Sequence, residues 1–129
     1  MIFRDFLDWI TGQYSISGRI SDEYGELRTV NYSFVDASAS GDTEAIPAQG
    51  AGLRIRVVAL EVIAADIVSV RFRSATNNIS SAKALAKNGG FVRNLNPVGW
   101  FQTNLNEPLN INLSTAVPVG CDIVWIVTK

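Results

Sequence analysis

The residue types on which many enzymes depend are scarce in this sequence of 129 residues. It contains no histidine and one cysteine, Cys121. Without histidine there can be no Ser-His-Asp triad, no Cys-His pair and no imidazole ligand for a metal. One cysteine can form neither an internal disulfide nor a usual structural zinc site. Because Cys121 has no basic neighbour in the sequence, we predict a buried and unreactive thiol.

Carboxylates are the remaining candidates for catalysis, since a glycosidase needs a pair of them around the scissile bond. The available acids are Asp36, Asp42, Glu44, Glu61 and Glu107. Most of them lie in polar segments that predict solvated loops. Asn88-Gly89-Gly90 precedes a predicted strand and lacks the Lys-Ser/Thr and helix of a phosphate-binding loop. The sequence therefore predicts a protein with no enzymatic activity, no cofactor and no metal.

The aromatic pair Trp100-Phe101 is the main candidate for contact with a ligand. It stands among several asparagines: Asn94, Asn96, Asn104 and Asn106. Aromatic rings beside amides are how sugar-binding sandwiches stack on a glycan ring and hydrogen-bond to it. Alternatively, both rings pack in the core or in an interface while the asparagines shape turns, and we prefer this interpretation.

Composition excludes some partners. The formal net charge is −1, and the arginines are scattered, whereas a nucleic-acid module normally has a basic face. No apolar run approaches the roughly 18 residues that a membrane-spanning helix needs. Asp5 and Asp8 interrupt the N-terminal apolar stretch, so no signal peptide is indicated. We therefore expect synthesis in the cytoplasm, with neither nucleic acid nor membrane as partner.

Hydrophobic residues make up 47% of the chain and charged residues only 18%. The surplus of apolar side chains has two interpretations, a thick sandwich core and a subunit interface. We expect both to contribute.

The first elements that must position any site are strands within residues 53–74. Residues 68–73 alternate apolar and polar side chains, the pattern of a half-buried strand. In residues 53–62 the alternation changes phase, which indicates a bulge near Val57–Val58 or a strand buried on both faces. Ala64-Ala65-Asp66 is short enough to reverse the chain. We therefore predict that Leu53–Ile63 and Val68–Arg73 form an antiparallel pair in the middle of a β-sandwich. We also predict that one core contains Val70, Phe72, Ile111 and Leu113.

Residues 1–12 have the apolar spacing of a short amphipathic helix that ends at Thr11-Gly12. Its apolar side chains are Phe3, Phe6, Leu7, Trp9 and Ile10. Because a helix this short is marginal in water, it needs a surface to pack on. That surface is either its own sandwich, which the residues alone favour, or a neighbouring subunit or a different protein. A hairpin is predicted from Tyr14 to Phe34, with Gly25 at the positive φ of its turn.

The rest of the chain reads as short strands separated by turns. One short edge strand is predicted around Glu44–Ile46, a strand or helical turn within Ile79–Ala86, and a central strand at Cys121–Val127. Turn residues recur every 8–12 positions. The sequence predicts an all-β fold, a single antiparallel β-sandwich at residues 34–129, preceded by a helix or arm and a hairpin at residues 1–33.

A series of motifs resembles the small β-sandwich or jelly-roll proteins that decorate or cement the capsids of tailed bacteriophages. The likeness spans about residues 34–127. Its motifs are Ala39-Ser40-Gly41-Asp42-Thr43, Ile55-Arg56-Val57, Asn88-Gly89-Gly90, Asn96-Pro97-Val98-Gly99-Trp100-Phe101-Gln102-Thr103, Leu109-Asn110-Ile111-Asn112-Leu113-Ser114 and Val119-Gly120. Residues before about Tyr32 fall outside it.

The resemblance implies a role in particle assembly and does not itself fix the location in the particle. We predict a non-enzymatic structural protein of the virion, a decoration or cement subunit on the capsid surface. Its partners would be the major capsid protein and copies of itself, most simply as a homotrimer. Because the likeness begins only after the hairpin, we also favour docking of residues 1–12 on a neighbouring subunit. No catalytic residues are implied. Two alternatives stay open: a receptor- or glycan-binding head of a tail fibre or spike, and a minor tail or neck component.

Overall fold

The computed structural model describes residues 18–129, and all of their regular structure is β-strand. The strands are β1 (Arg19–Ser21), β2 (Leu27–Thr29), β3 (Asn31–Ala37), β4 (Gly41–Ile46), β5 (Arg54–Ala64), β6 (Val68–Ser74), β7 (Asn77–Asn78), β8 (Lys83–Leu85), β9 (Gly90–Arg93), β10 (Phe101–Gln102), β11 (Leu109–Leu113) and β12 (Val119–Thr128).

The strands form two five-stranded antiparallel sheets and one small hairpin. The front sheet has the order β10-β5-β12-β3, with β9 also paired to β5. The back sheet has the order β4-β11-β6-β7, with β8 also paired to β6. The inward side chains of the two sheets share one apolar core. The predicted all-β, antiparallel, sandwich-like fold is confirmed.

The predicted pairing of Leu53–Ile63 with Val68–Arg73 is wrong. These segments became β5 and β6, which belong to different sheets. Residues 65–67 carry the chain from the front sheet to the back sheet instead of closing a hairpin. The residues just before β9 and β12 fix this crossing, since Ala64 N–H donates to Gly89 O at 2.8 Å and Ala65 N–H donates to Pro118 O at 2.9 Å. Alternation along each segment predicted two strands correctly, but it does not specify their neighbours.

The core between the sheets contains the residues expected there. Ile111 pairs with Phe72, and Leu113 pairs with Val70, across β11 and β6. All four side chains are buried in one cluster with residues of the front sheet. Their location in one core is confirmed.

The phase change in residues 53–62 corresponds to a bulge in β5. Val124 of β12 pairs with Ala59, while Trp125 pairs with Val57, so Val58 is the extra residue. Ile55, Val57 and Val58 are all buried, which means that both faces of the strand are covered at this point. Both interpretations of the pattern are therefore correct.

Other predicted elements have the expected places. β12 contains Cys121–Val127 and lies between β3 and β5, so it is central. β4 contains Glu44–Ile46 and forms an edge of the back sheet. The segment Ile79–Ala86 contributes a short strand, β8.

The predicted N-terminal hairpin is confirmed only in its middle. β1 and β2 pair around a turn at residues 22–26, in which Gly25 has a φ of 79°. Tyr32 and Phe34 are not in its return strand, because β3 pairs with β12 and so belongs to the front sheet. β3 also crosses the position, between residues 33 and 34, where we expected the sandwich to begin. The predicted helix at residues 1–12 lies outside the described residues.

Candidate functional sites

The first candidate site is the outer face of the front sheet. Phe34 of β3, Asp122 of β12, Glu61 of β5 and Val92 of β9 form one row across four strands. The next row places Asp36, Gly120, Ile63 and Gly90 side by side. Large apolar side chains on this face are exposed: Phe34 by 66%, Val92 by 60%, Ile63 by 51% and Tyr32 by 45%. We call this surface the front face.

The charge of the front face is entirely negative. Among the outward positions of β3, β12, β5 and β9 on this half of the sheet, Asp36, Glu61 and Asp122 are acidic and none is basic. The Tyr32 hydroxyl donates a hydrogen bond to Asp122 Oδ1, and this bond, with burial and the nearby acids, raises the Tyr32 pKa. An apolar surface with acidic groups complements a partner that offers apolar and basic groups.

The β1–β2 hairpin occupies the other end of the same sheet. Arg56 is buried there and forms an ion pair with Glu23 of the hairpin turn. Its Nη2 also donates to Gln102 Oε1 at 3.1 Å. The hydrogen bond with Glu23 raises the pKa of Arg56, although burial opposes this, and it lowers the pKa of Glu23. The ion pair holds the hairpin beside β5 and β10, so the hairpin forms the boundary of the front face at this end of the sheet.

The second candidate site is a cleft between the edges of the two sheets, which we call the aromatic cleft. Its volume is about 200 Å³. The lining residues are Leu60, Phe72, Ile79, Ser80, Ser81, Lys83, Phe91, Arg93, Trp100 and Phe101. Phe91 and Phe101 come from the front sheet, and Phe72 and Lys83 come from the back sheet. The two serines lie in the connection that precedes β8.

Trp100 stands at the surface of the aromatic cleft as a fixed platform. It is 44% exposed, and its indole Nε1 donates to Asn94 O at 2.8 Å. Its backbone N–H donates to Val57 O at 2.9 Å, which ties it to the bulged part of β5. A ring held by its edge in this way keeps its orientation without help from a ligand.

Phe101 faces the interior. Its ring stacks on that of Phe72 with the centroids 5.0 Å apart, so it packs against the core cluster. The two members of the predicted aromatic pair therefore have different environments. Asparagines shape the neighbouring turns: Asn96 Oδ1 accepts from Val98 N–H at 3.1 Å, and Asn106 has a φ of 54°.

The aromatic cleft is positively charged. The Arg93 guanidinium carbon lies 5.1 Å from the Phe91 ring centroid and 5.7 Å from that of Trp100. Lys83 Nζ donates to Ser81 Oγ. Within residues 18–129 neither cation forms an ion pair, and no acidic residue lines the cleft. Two cations without a carboxylate partner can bind an anion.

The sequence pattern identified Trp100 and Phe101 but not Phe91, Lys83 or Arg93. These residues come from other strands, so only the packing of the sheets brings them to the same cleft. The front face was also missed, although Tyr32 and Phe34 alternate with polar residues in the sequence. Since an exposed apolar side chain and a buried one give the same alternation, the pattern alone did not locate this face.

The remaining sequence candidates lie on both sheets. Cys121 is buried, and burial raises the pKa of its thiol to about 12, with smaller effects from Asp122 and Glu61. On the back sheet Asp42 pairs with Arg73, while Glu107 accepts a hydrogen bond from Ser74 at 2.9 Å. Across residues 18–129 there is no cluster of three or more His, Cys, Asp or Glu side chains that could hold a metal ion.

In the same part of the chain, no helix has the length and apolarity needed to cross a membrane. Neither protein-family models nor curated proteins give a match to this chain.

Proposed function

We propose that this chain is a structural protein of a tailed bacteriophage particle, a capsid decoration or cement subunit that attaches to the assembled head through its front face. The observation that carries the proposal is the exposure of Phe34, Val92, Ile63 and Tyr32 on one sheet surface. Side chains of this size on one face are typical of a protein–protein interface. The motif resemblance within residues 34–127 supports the same role.

The strand order supports the jelly-roll form of this proposal. Without the two-residue strands β7 and β10, the front sheet has the order β3-β12-β5-β9 and the back sheet has the order β4-β11-β6-β8. With eight strands in chain order, this is the arrangement of two four-stranded sheets in a jelly roll, a fold found in viral capsid domains.

The proposed partner surface is the outside of the major capsid protein, presenting apolar side chains with arginine or lysine. Basic groups there would face Asp36, Glu61 and Asp122. A subunit that binds the assembled lattice and not free capsid protein stabilises the lattice by mass action. A homotrimer would strengthen attachment, since three weak contacts act together. Residues 1–12 would dock on a neighbouring subunit in this arrangement and add apolar contacts.

The test compares two double variants of identical composition. Ile63→Ser with Val92→Ser removes apolar groups from the front face, whereas Ile67→Ser with Val98→Ser removes the same groups from exposed positions outside it. All four side chains are at least half exposed, so folding should be affected little. At about 0.8 kcal/mol per buried methylene, the front-face pair should lose roughly 2–3 kcal/mol, or about 30- to 150-fold in affinity for the particle.

Affinity is measured by co-sedimentation with heads of the phage that encodes the chain, after the bound protein has been removed. Electron microscopy of intact particles then locates the subunit. Equal retention of both double variants would exclude the front face as the attachment surface. Absence of the chain from purified particles would exclude the proposed function altogether.

A second candidate function, a glycan-binding head of a tail fibre or spike, is favoured by the exposed and fixed indole of Trp100. Under this proposal Trp100→Ala abolishes glycan binding but leaves the protein folded. Retention on heads, measured as above, distinguishes the two candidates.

A further inference from the structure

We infer that the aromatic cleft is a binding site for a carboxylate-bearing sugar ring, such as a uronic or sialic acid residue of a surface polysaccharide. The inference deepens the second candidate function and is independent of attachment through the front face. It rests on the shape of the cleft, its two cations and the fixed indole at its rim.

Size limits the ligand to about one ring. Cavities for drug-sized ligands measure about 300–1,000 Å³, whereas the aromatic cleft measures about 200 Å³. Its floor is apolar, formed by Leu60, Phe72 and Phe101 among others. One face of a pyranose ring is rich in C–H groups and can lie against aromatic carbon, while its hydroxyl groups point to water or to Ser80 and Ser81.

Charge selects a carboxylate. The Arg93 guanidinium carbon lies within cation–π distance of both the Phe91 and the Trp100 ring, so both rings hold the guanidinium at the cleft before a ligand arrives. Within residues 18–129 its only hydrogen bond is from Nη1 to Val92 O, at 3.3 Å. Among the described residues, the other donors of its planar fork have no partner and can reach the two oxygens of a carboxylate. Lys83 adds a second positive charge in the same cleft.

A peptide segment is a less suitable ligand for the aromatic cleft than a sugar ring. Peptides commonly dock by adding a strand to an exposed sheet edge. Beside the aromatic cleft, β10 has two residues and β8 has three, which gives a short edge for such pairing. A ring that uses side-chain contacts alone does not need an extended edge.

The experiment uses the full chain and three acidic sugars: the methyl glycosides of glucuronic, galacturonic and N-acetylneuraminic acid. Each is compared with its uncharged methyl ester. Binding is followed by calorimetry and by the NMR signal of the Trp100 indole N–H. We expect at least one acid to bind with a Kd of roughly 1 mM or below, as for a small ligand of low efficiency. Its ester should bind at least about 10-fold more weakly, because a charge-assisted hydrogen bond is lost.

Two kinds of substitution test whether the acid binds in the aromatic cleft or elsewhere on the surface. Arg93→Gln should weaken binding of the acid by about 10-fold or more and leave binding of the ester unchanged, while Arg93→Lys keeps part of the affinity. The matched control is Arg71→Gln, on the strand β6 of the back sheet and absent from the cleft lining. Thermal unfolding of each variant verifies that it is folded.

Different failures have different meanings. If an ester binds as tightly as its acid and Trp100→Ala abolishes both, the glycan-binding function stands and the carboxylate inference is overturned. If none of the sugars binds, both are overturned. Binding of a short acidic peptide, N-acetyl-Phe-Asp-amide, with no binding of the sugars would also overturn the inference.

Discussion

Gly90 and Gly120 offer a sharp test of the front sheet, since the same substitution should have opposite effects at the two positions. Both lie beside Ile63 in one row, Gly90 on β9 and Gly120 on β12. A Cβ added at Gly90 would lie 2.0 Å from Val62 O and 3.0 Å from Ile63 Cα. A Cβ at Gly120 would lie no closer than 3.8 Å, to Asp36 Oδ1.

The magnitudes follow from these distances. Replacing glycine by alanine at an unstrained position stabilises a protein by about 0.4–1 kcal/mol, because the unfolded chain loses freedom. We expect this result for Gly120→Ala. At Gly90 the obstacle is backbone of the paired strand, which no side-chain rotation can relieve. Forcing an extra carbon into packed structure costs roughly 1–3 kcal/mol, so Gly90→Ala should be less stable than Gly120→Ala by about 1.5–4 kcal/mol.

The assay is urea unfolding, with the transition midpoint and slope recorded for the wild type and both variants. An unchanged slope assigns the difference to stability and not to the compactness of either state. The NMR signal of the Trp100 indole provides a local readout, since Gly90→Ala should also displace Phe91 and Arg93 from the aromatic cleft. Equal stability of the two variants, within 0.5 kcal/mol or so, would refute the pairing of β9 with β5.

Three further predictions concern the core, the thiol and the hairpin. Phe72→Ala empties a buried aromatic position and should lower the free energy of unfolding by about 3–5 kcal/mol. Phe34→Ala, on the surface, should lower it by less than about 0.5 kcal/mol. If denaturant unfolding gave similar losses for both variants, the assignment of Phe72 to the core and Phe34 to the surface would be contradicted. Cys121 should not react with a thiol reagent at pH 8 until the chain unfolds, because burial raises its pKa to about 12; rapid reaction of the native protein would show that β12 is not central. Burial opposes ionisation of Asp22, but hydrogen bonds from Arg28 and two backbone N–H groups lower its pKa below the ordinary 3.8. Because the pKa of Asp22 is lower in the folded state than in the unfolded state, its stabilising effect is complete above about pH 4 and is lost as the pH falls through the folded-state value. The protection of β1–β2 amides from hydrogen exchange, corrected for the intrinsic exchange rate, should therefore fall on acidification, and Asp22→Asn should reduce that fall to the part contributed by Glu23.

Local patterns sufficed for most of the strands. A nearly continuous apolar run identified Cys121–Val127 as a central strand, because such a strand is buried on both faces. Alternation identified residues 68–73, because the two faces of a strand alternate at each residue whatever its neighbours are. The phase change at Val57–Val58 located the bulge for the same reason. Gly25 marked the hairpin turn because its positive φ is costly for residues with a Cβ.

Only the tertiary structure decided which strands pair. The segment Ala64-Ala65-Asp66 has the composition of a turn, yet the chain crosses there to the other sheet, since β5 finds its partners in β12 and β9. Those partners are distant in sequence, and nothing local to residues 53–74 encodes them. The pairing of strands is determined by the requirement that the two sheets together cover one core.

The candidate sites also depend partly on the sequence and partly on the tertiary structure. The sequence identified Trp100 by its residue type and by the asparagines near it. The positive charge of the aromatic cleft, however, comes from Lys83 and Arg93, which lie on other strands. On the front face, Phe34 and Val92 carry the apolar signature of buried strand residues. They are exposed because the second layer of the sandwich covers the opposite face of their sheet, and which face is covered depends on the whole arrangement of strands.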